Sequence, residues 1–101
     1  MRKNSFSERV WELTKRVPRG SVTTYKLIAE RLGTKAYRAV GNALNKNPYS
    51  PVVPCHRVVN SDGSVGGFAH GSSEKIVMLE KESVAVKNGR VVDFEKKLFA
   101  F

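Results

Sequence analysis

Proline and glycine cut the first half of this chain into pieces that are each long enough for only a few helical turns. The cuts fall at Pro18-Arg19-Gly20, at Gly33-Thr34 and at Asn47-Pro48, with Pro51 and Pro54 close behind. Proline fixes φ and removes an N–H, and glycine readily closes a helix in the left-handed region, so no long helix can run through these points. The pieces between them carry helical periodicity. Phe6, Val10, Leu13 and Val17 share one face behind Ser5 or Ser7 as the cap, with Trp11 beside that stripe. Thr23 or Thr24 opens a second helix that ends at Gly33 and buries Tyr25, Ile28 and Leu32. Thr34 caps a third through about Asn45, with Ala36, Val40, Ala43 and Leu44 inward and Lys35, Arg38, Ala39, Asn42 and Lys46 outward.

Two short helices joined by a Gly-Thr turn read as a helix-turn-helix over about 23–46. A three-helix core with solvated charges is the plainer reading of the same residues. The second half is punctuated differently. The prolines place Cys55 in a rigid, non-helical segment, and Val58-Val59 reads as a short strand or buried stretch before the turn at Asn60-Ser61-Asp62-Gly63. Gly66-Gly67 permits an unusual loop, and Ser72 or Ser73 caps a fourth helix with Ile76, Leu79, Val77 and Ser83 inward and Glu74, Lys81 and Glu82 at polar positions. Asn88-Gly89 between Val84-Ala85-Val86-Lys87 and Arg90-Val91-Val92-Asp93-Phe94 predicts a two-residue hairpin. The predicted fold is mostly α, with a winged-helix-like helix-turn-helix core, short strands and a C-terminal β-hairpin. It forms one domain over 1–101, because so short a chain cannot bury a second core.

Charge narrows the partners. Residues 1–47 hold 11 basic and 3 acidic side chains, and residues 48–101 hold 7 and 6. One positively charged face suits a phosphate backbone, although the same residues also serve as a solubilising surface. No run approaches the roughly 18 apolar residues of a membrane helix, and Met1 to Arg9 has no apolar signal core, so an intracellular, cytoplasmic protein without membrane contact is expected. A single cysteine cannot close an internal disulfide and makes a poor start on a zinc site, so neither metal nor cofactor is expected.

The value of Cys55 then lies in reactivity or in packing. Taken singly, Cys55 reads equally as a small buried hydrophobe, His56 as a structural hydrogen-bonding group and Arg57 as half of a structural ion pair. A reactive cysteine is a thiolate, and at an ordinary pKa of about 8.5 it needs a cationic or hydrogen-bonding neighbour. Together the residues say more. Pro54-Cys55-His56-Arg57-Val58-Val59, preceded by Asn47-Pro48 and by Arg38-Ala39-Val40-Gly41, resembles the DNA-binding and active-site domain of the O(6)-alkylguanine-DNA alkyltransferases. The resemblance runs from about Phe6 to Glu82, with an active-site segment over 47–59.

What the resemblance implies is repair of double-stranded DNA holding an O6-alkylguanine, by a monomer that carries one alkyl group permanently to Cys55. By similarity, His56 takes the thiol proton through a water and Glu82 orients His56, where residue type alone reads Glu82 as a solvated surface carboxylate. Tyr25 resembles the proton donor to the leaving guanine, and Asn47 the asparagine that ties the recognition helix to the active-site segment. By the same likeness Arg38 fills the place of the extruded nucleotide, with Lys35, Ala39 and Asn42 on the DNA face. The carbonyls of Cys55 and Val58 receive the guanine amine, and Gly66-Gly67-Phe68-Ala69 walls the pocket. Two departures stand out. An amino-terminal domain of the kind usual in full-length relatives is not expected in these 101 residues, and Phe68 stands where tyrosine is common, followed by Ala69-His70 in place of a serine-glycine or tryptophan-containing stretch. The alternative function is that of the alkyltransferase-like damage-recognition proteins, which bind the lesion without transfer and carry another residue in place of the cysteine. A helix-turn-helix regulator with a structural cysteine is the third.

Overall fold

Residues 5–48, 52–66 and 72–101 are described in a computed structural model of the chain. The first helix, α1, spans Phe6–Lys15, and Ser5 caps it in a full capping box. Its hydroxyl accepts from the Glu8 amide while the Glu8 carboxylate accepts from the Ser5 amide, a device of about 1 kcal/mol. Val10, Leu13 and Val17 are buried on the expected face, and the Trp11 indole donates to the Ala43 carbonyl at 2.8 Å.

Strand β1 is only Thr23–Thr24, and Thr24 is also the cap of α2, Tyr25–Arg31, accepting from the Leu27 amide at 3.0 Å. Gly33 follows at φ +76°, the left-handed residue that ends the helix. Helix α3 covers Tyr37–Asn45, a later start than Thr34 predicts. The Thr34 hydroxyl accepts from the Ala36 amide, and the Tyr37 amide donates to the Lys35 carbonyl at 2.8 Å, so a tight turn occupies the place of a helical first turn. Ala36 is consequently exposed and non-helical instead of inward, whereas Val40, Ala43 and Leu44 are buried as expected.

The second half returns to the first. Cys55–Arg57 forms a single 3-10 turn where a non-helical segment is expected, and strand β2, Val58–Val59, leaves it to pair in parallel with β1, Thr23 opposite Val58 and Thr24 opposite Val59. Successive strand residues face opposite ways, so Val58 enters the core under α1, α2 and α3 while Val59 enters a second core with Val22, Val65, Leu79, Val84 and Val91. Helix α4 runs Ser72–Lys81. Leu79 is buried, Val77 is 49% exposed and Ser83 is an exposed left-handed residue, so neither of the latter two faces inward.

The Asn88-Gly89 turn has φ of +53° and +76°, the two positive values a type I′ hairpin needs, between β3, Val86–Lys87, and β4, Arg90–Val91. Both strands are shorter than their sequence suggests. Phe94–Lys97 forms α5 after a left-handed Asp93, and the chain then runs beside Val22, whose amide donates to the Lys97 carbonyl and whose carbonyl accepts from the Phe99 amide. Among the described residues no helix is long and apolar enough to cross a membrane.

Candidate functional site

The parallel pairing of β1 with β2 sets the Cys55–Arg57 turn against the start of α2, and α4 packs across the same turn. The turn is held from three sides. Its own backbone closes through Cys55 N–H to Val53 O at 2.9 Å and Arg57 N–H to Pro54 O at 2.9 Å. Asn47, just beyond α3, donates its side-chain amide to the Val53 carbonyl at 2.9 Å, so the helix that carries Arg38 is tied to the cysteine segment. Arg57 donates to the Val17 carbonyl at 2.8 Å and grips Glu82 with both arms of its fork, Nε to Oε1 at 2.8 Å and Nη2 to Oε2 at 2.6 Å.

Glu82 is therefore no solvated surface carboxylate; its side chain is 10% exposed. Its Oε2 also lies 3.1 Å from His56 Nε2, a charge contact that is off the line of a hydrogen bond. Burial works against ionising Glu82, but the paired hydrogen bonds from Arg57 and the close approach of the His56 ring outweigh it and hold the carboxyl below its usual range. His56 is buried, and burial lowers its pKa despite the pull of Glu82, so the ring is neutral at pH 7. With Nε2 facing a carboxylate, the proton belongs there and Nδ1 presents a lone pair. That Nδ1 is buried without a hydrogen-bond partner among the described residues.

Cys55 is 7% exposed and joins the edge of the first core. Tyr25 packs against that core, and burial first, then charge on Cys55, keeps its phenol above its ordinary pKa. It is thus a protonated donor at neutral pH. Lys75 was not singled out in the sequence, where Ser-Ser-Glu-Lys reads as a polar helix start. It is completely buried, with Nζ 3.5 Å from the Tyr25 hydroxyl and 5.8 Å from the ring centroid. Burial lowers its pKa to about 8, and charge on Cys55 pushes it back up.

A folded value of about 8 against 10.5 means that, between those limits, the unfolded chain holds the extra proton, so stability rises with pH across that window. Below pH 8 the full burden of charging a buried amine is present, of order 3 kcal/mol. Lys75→Met is expected to unfold at a higher temperature than the unmodified chain at pH 7. Thermal unfolding followed at several pH values should show that advantage shrink as pH climbs from 8 toward 10.5.

Lys35 is exposed in the turn ahead of α3, and on the face of α3 away from the core Arg38 and Asn42 are exposed and Ala39 is half-buried. A Cβ built on Gly41 meets nothing within 4 Å, so the backbone is open to a close partner there. The Val58 side chain is wholly core, which leaves only its backbone for a ligand, and the Cys55 carbonyl already accepts from the Val58 amide. Phe68, Ala69 and His70 lie outside the described residues.

Residues 5–84 match the family described as 6-O-methylguanine DNA methyltransferase, DNA binding domain. The methylated-DNA--protein-cysteine methyltransferase of Thermococcus kodakarensis is 52% identical over 80 residues, 78% of this chain and 45% of its own length. Mycobacterium tuberculosis OGT, solved in complex with DNA, is 39% identical at a TM-score of 0.75, over 80% of this chain and 51% of that one. S. pombe Atl1, solved with damaged DNA containing O6-carboxymethylguanine, is 28% identical at a TM-score of 0.84, over 100% of both chains. This chain spans about half the length of the curated relatives it matches. By the match over 5–84 and the geometry that surrounds Cys55, the chain belongs to the family of the O6-methylguanine DNA methyltransferase DNA-binding domain.

Proposed function

We propose that this chain repairs DNA by moving an alkyl group from O6 of an extruded guanine to Cys55, once per molecule. The observation that carries the reading is the buried set of Cys55, neutral His56 and ionised Glu82, with the protonated Tyr25 packed on the same core as the cysteine. A nucleophile, a base and an orienting carboxylate in that order are what a thiol needs to react at neutral pH. The thiol proton passes through a water to His56 Nδ1, and the sulfur attacks the alkyl carbon. As the sulfur–carbon bond forms, the carbon–O6 bond breaks, its electron pair stays with the guanine, and Tyr25 donates the proton that neutralises the ring. The Lys75 ammonium beside the Tyr25 hydroxyl favours that donation, since it stabilises the phenolate left behind.

Double-stranded DNA enters against α3. The basic first half of the chain gives the long-range attraction, and Ala39 and Gly41 leave room for the backbone to approach a groove. Extruding the base costs a few kcal/mol, and Arg38 at the exposed start of α3 is the group that fills the space it leaves.

A second reading, lesion recognition without transfer, is favoured by the end-to-end match with Atl1. The deciding measurement is the intact mass of the protein after incubation with a duplex holding one O6-methylguanine, followed by fragmentation. A gain of one methyl group on the peptide that contains Cys55 is expected. Tight lesion binding with no gain would leave recognition alone.

A further inference from the structure

Tyr37 is the one aromatic residue among the exposed large apolar side chains of the described structure, 40% exposed at the first position of α3. It stands directly before Arg38, and both side chains are exposed at the start of α3; leaving the axis about 100° apart, they bracket whatever lies across this end of the helix. The residue four further on, which would lie over the same strip of helix, is Gly41, and it offers no side chain for the ring to pack on. The neighbouring residues at this end, Ala36 and Ala39, are also small, and the ring borders a recess shared with Gly33, Thr34 and Lys35. The setting is positive on balance. Lys35 and Arg38 flank the ring against one carboxylate, Glu30, which borders the same recess, and the first turn of α3 contains no acidic residue and has no side-chain cap.

A partly exposed phenol ring between two cations, beside a helix start of small residues, suits a nucleic acid better than a protein partner. Bases and sugars offer flat apolar faces framed by phosphates, and proteins of the minor groove use large side chains as wedges between base steps. We infer that Tyr37 is a second wedge for duplex DNA, packing its ring on the sugar and base edge next to the gap that Arg38 fills and so holding the extruded state open. The inference rests on the alkyl-transfer reading above and adds to it a positioning residue that acts before chemistry, with no contact to the reacting atoms.

The test is single-turnover methyl transfer from O6-methylguanine in a duplex, in a single strand and as the free base, with Tyr37→Ala and Tyr37→Phe beside the unmodified chain. Tyr37→Ala is expected to slow transfer from duplex about tenfold, to leave the free-base rate unchanged and to change the single-strand rate much less, because no neighbouring pair has to be prised apart there. Tyr37→Phe retains the ring and should react like the unmodified chain. Duplex transfer by Tyr37→Ala at the unmodified rate overturns the inference, and so does an equal loss on duplex and free base, which would place the effect in the site itself. A loss in Tyr37→Phe as large as in Tyr37→Ala would assign the contact to the hydroxyl and refute a stacking wedge. If the unmodified chain transfers nothing from any substrate, it is the alkyl-transfer reading that fails.

Discussion

Cys55→Ala is expected to abolish alkyl transfer while leaving the chain folded and bound to lesion-bearing duplex. On the proposed mechanism the loss is total because the cysteine is the acceptor itself, so no residual route remains through binding or charge stabilisation as it would in a turnover enzyme. The fold survives because the change removes only the sulfur from a residue at the margin of the first core, among Val40, Leu44 and Val58, a cost of about 1 kcal/mol. Neither the Arg57–Glu82 fork nor the Asn47 contact to Val53 involves the sulfur. Intact mass after exposure to an O6-methylguanine duplex should show no added methyl group. Gel-shift titration of the same duplex should give a dissociation constant within a few-fold of the unmodified chain, since the α3 face proposed to meet DNA is untouched. A variant that both fails to accept methyl and fails to bind would mean that the sulfur builds the lesion pocket and is more than its nucleophile.

Much of this arrangement is legible in the amino-acid order, because the features concerned are local. The Ser5 to Glu8 capping box, the left-handed Gly33 and the Asn88-Gly89 turn are each set by a few adjacent residues, and all appear where the order places them. The apolar stripe of α1 is legible for the same reason. What escapes is decided by partners distant in the chain. Lys75 sits in a run that reads as solvated, and its burial follows from α4 packing on the Cys55 turn, which brings the amine to a tyrosine fifty positions earlier. Val77 is exposed because α4 presents Leu79 and Lys75 inward, a rotation that its weak apolar periodicity does not specify. Helix α5 has no side-chain cap and only four residues, and the chain just beyond it docks on Val22 by backbone bonds that no side chain announces. The late start of α3 has the opposite cause, since Thr34 spends its hydroxyl on the Ala36 amide, two residues on, and thereby closes a turn in place of a helix.

Glu82→Gln should reduce both transfer and stability, and the two losses should depend on pH in different ways. The carboxylate serves Arg57 through both oxygens and His56 through one of them. An amide keeps one acceptor and puts an NH2 group where the other stood, so the guanidinium meets a donor in either orientation of the amide and the imidazole meets one as well when the NH2 takes the Oε2 place. Removing one member of a well-buried pair costs about 3–5 kcal/mol, and with Arg57 and Glu82 16% and 10% exposed and an isosteric amide left in place the expected loss falls below that range, roughly 2 kcal/mol. A carboxyl held below its usual range stabilises the fold above its unfolded pKa, and that contribution disappears as pH falls through the folded value. Chemical denaturation should thus find the full gap between the two proteins at pH 7 and a shrinking gap below about pH 4. Transfer should fall about 10²-fold, the scale of a mispositioned general base. Since Glu82 is also what pulls the His56 pKa upward against burial, its removal lets that pKa drop further. The acid limb of the rate profile should accordingly move to lower pH even as the plateau falls. A stability loss with an unmoved acid limb would make Glu82 a partner of Arg57 alone, and the base would then need another orienting group.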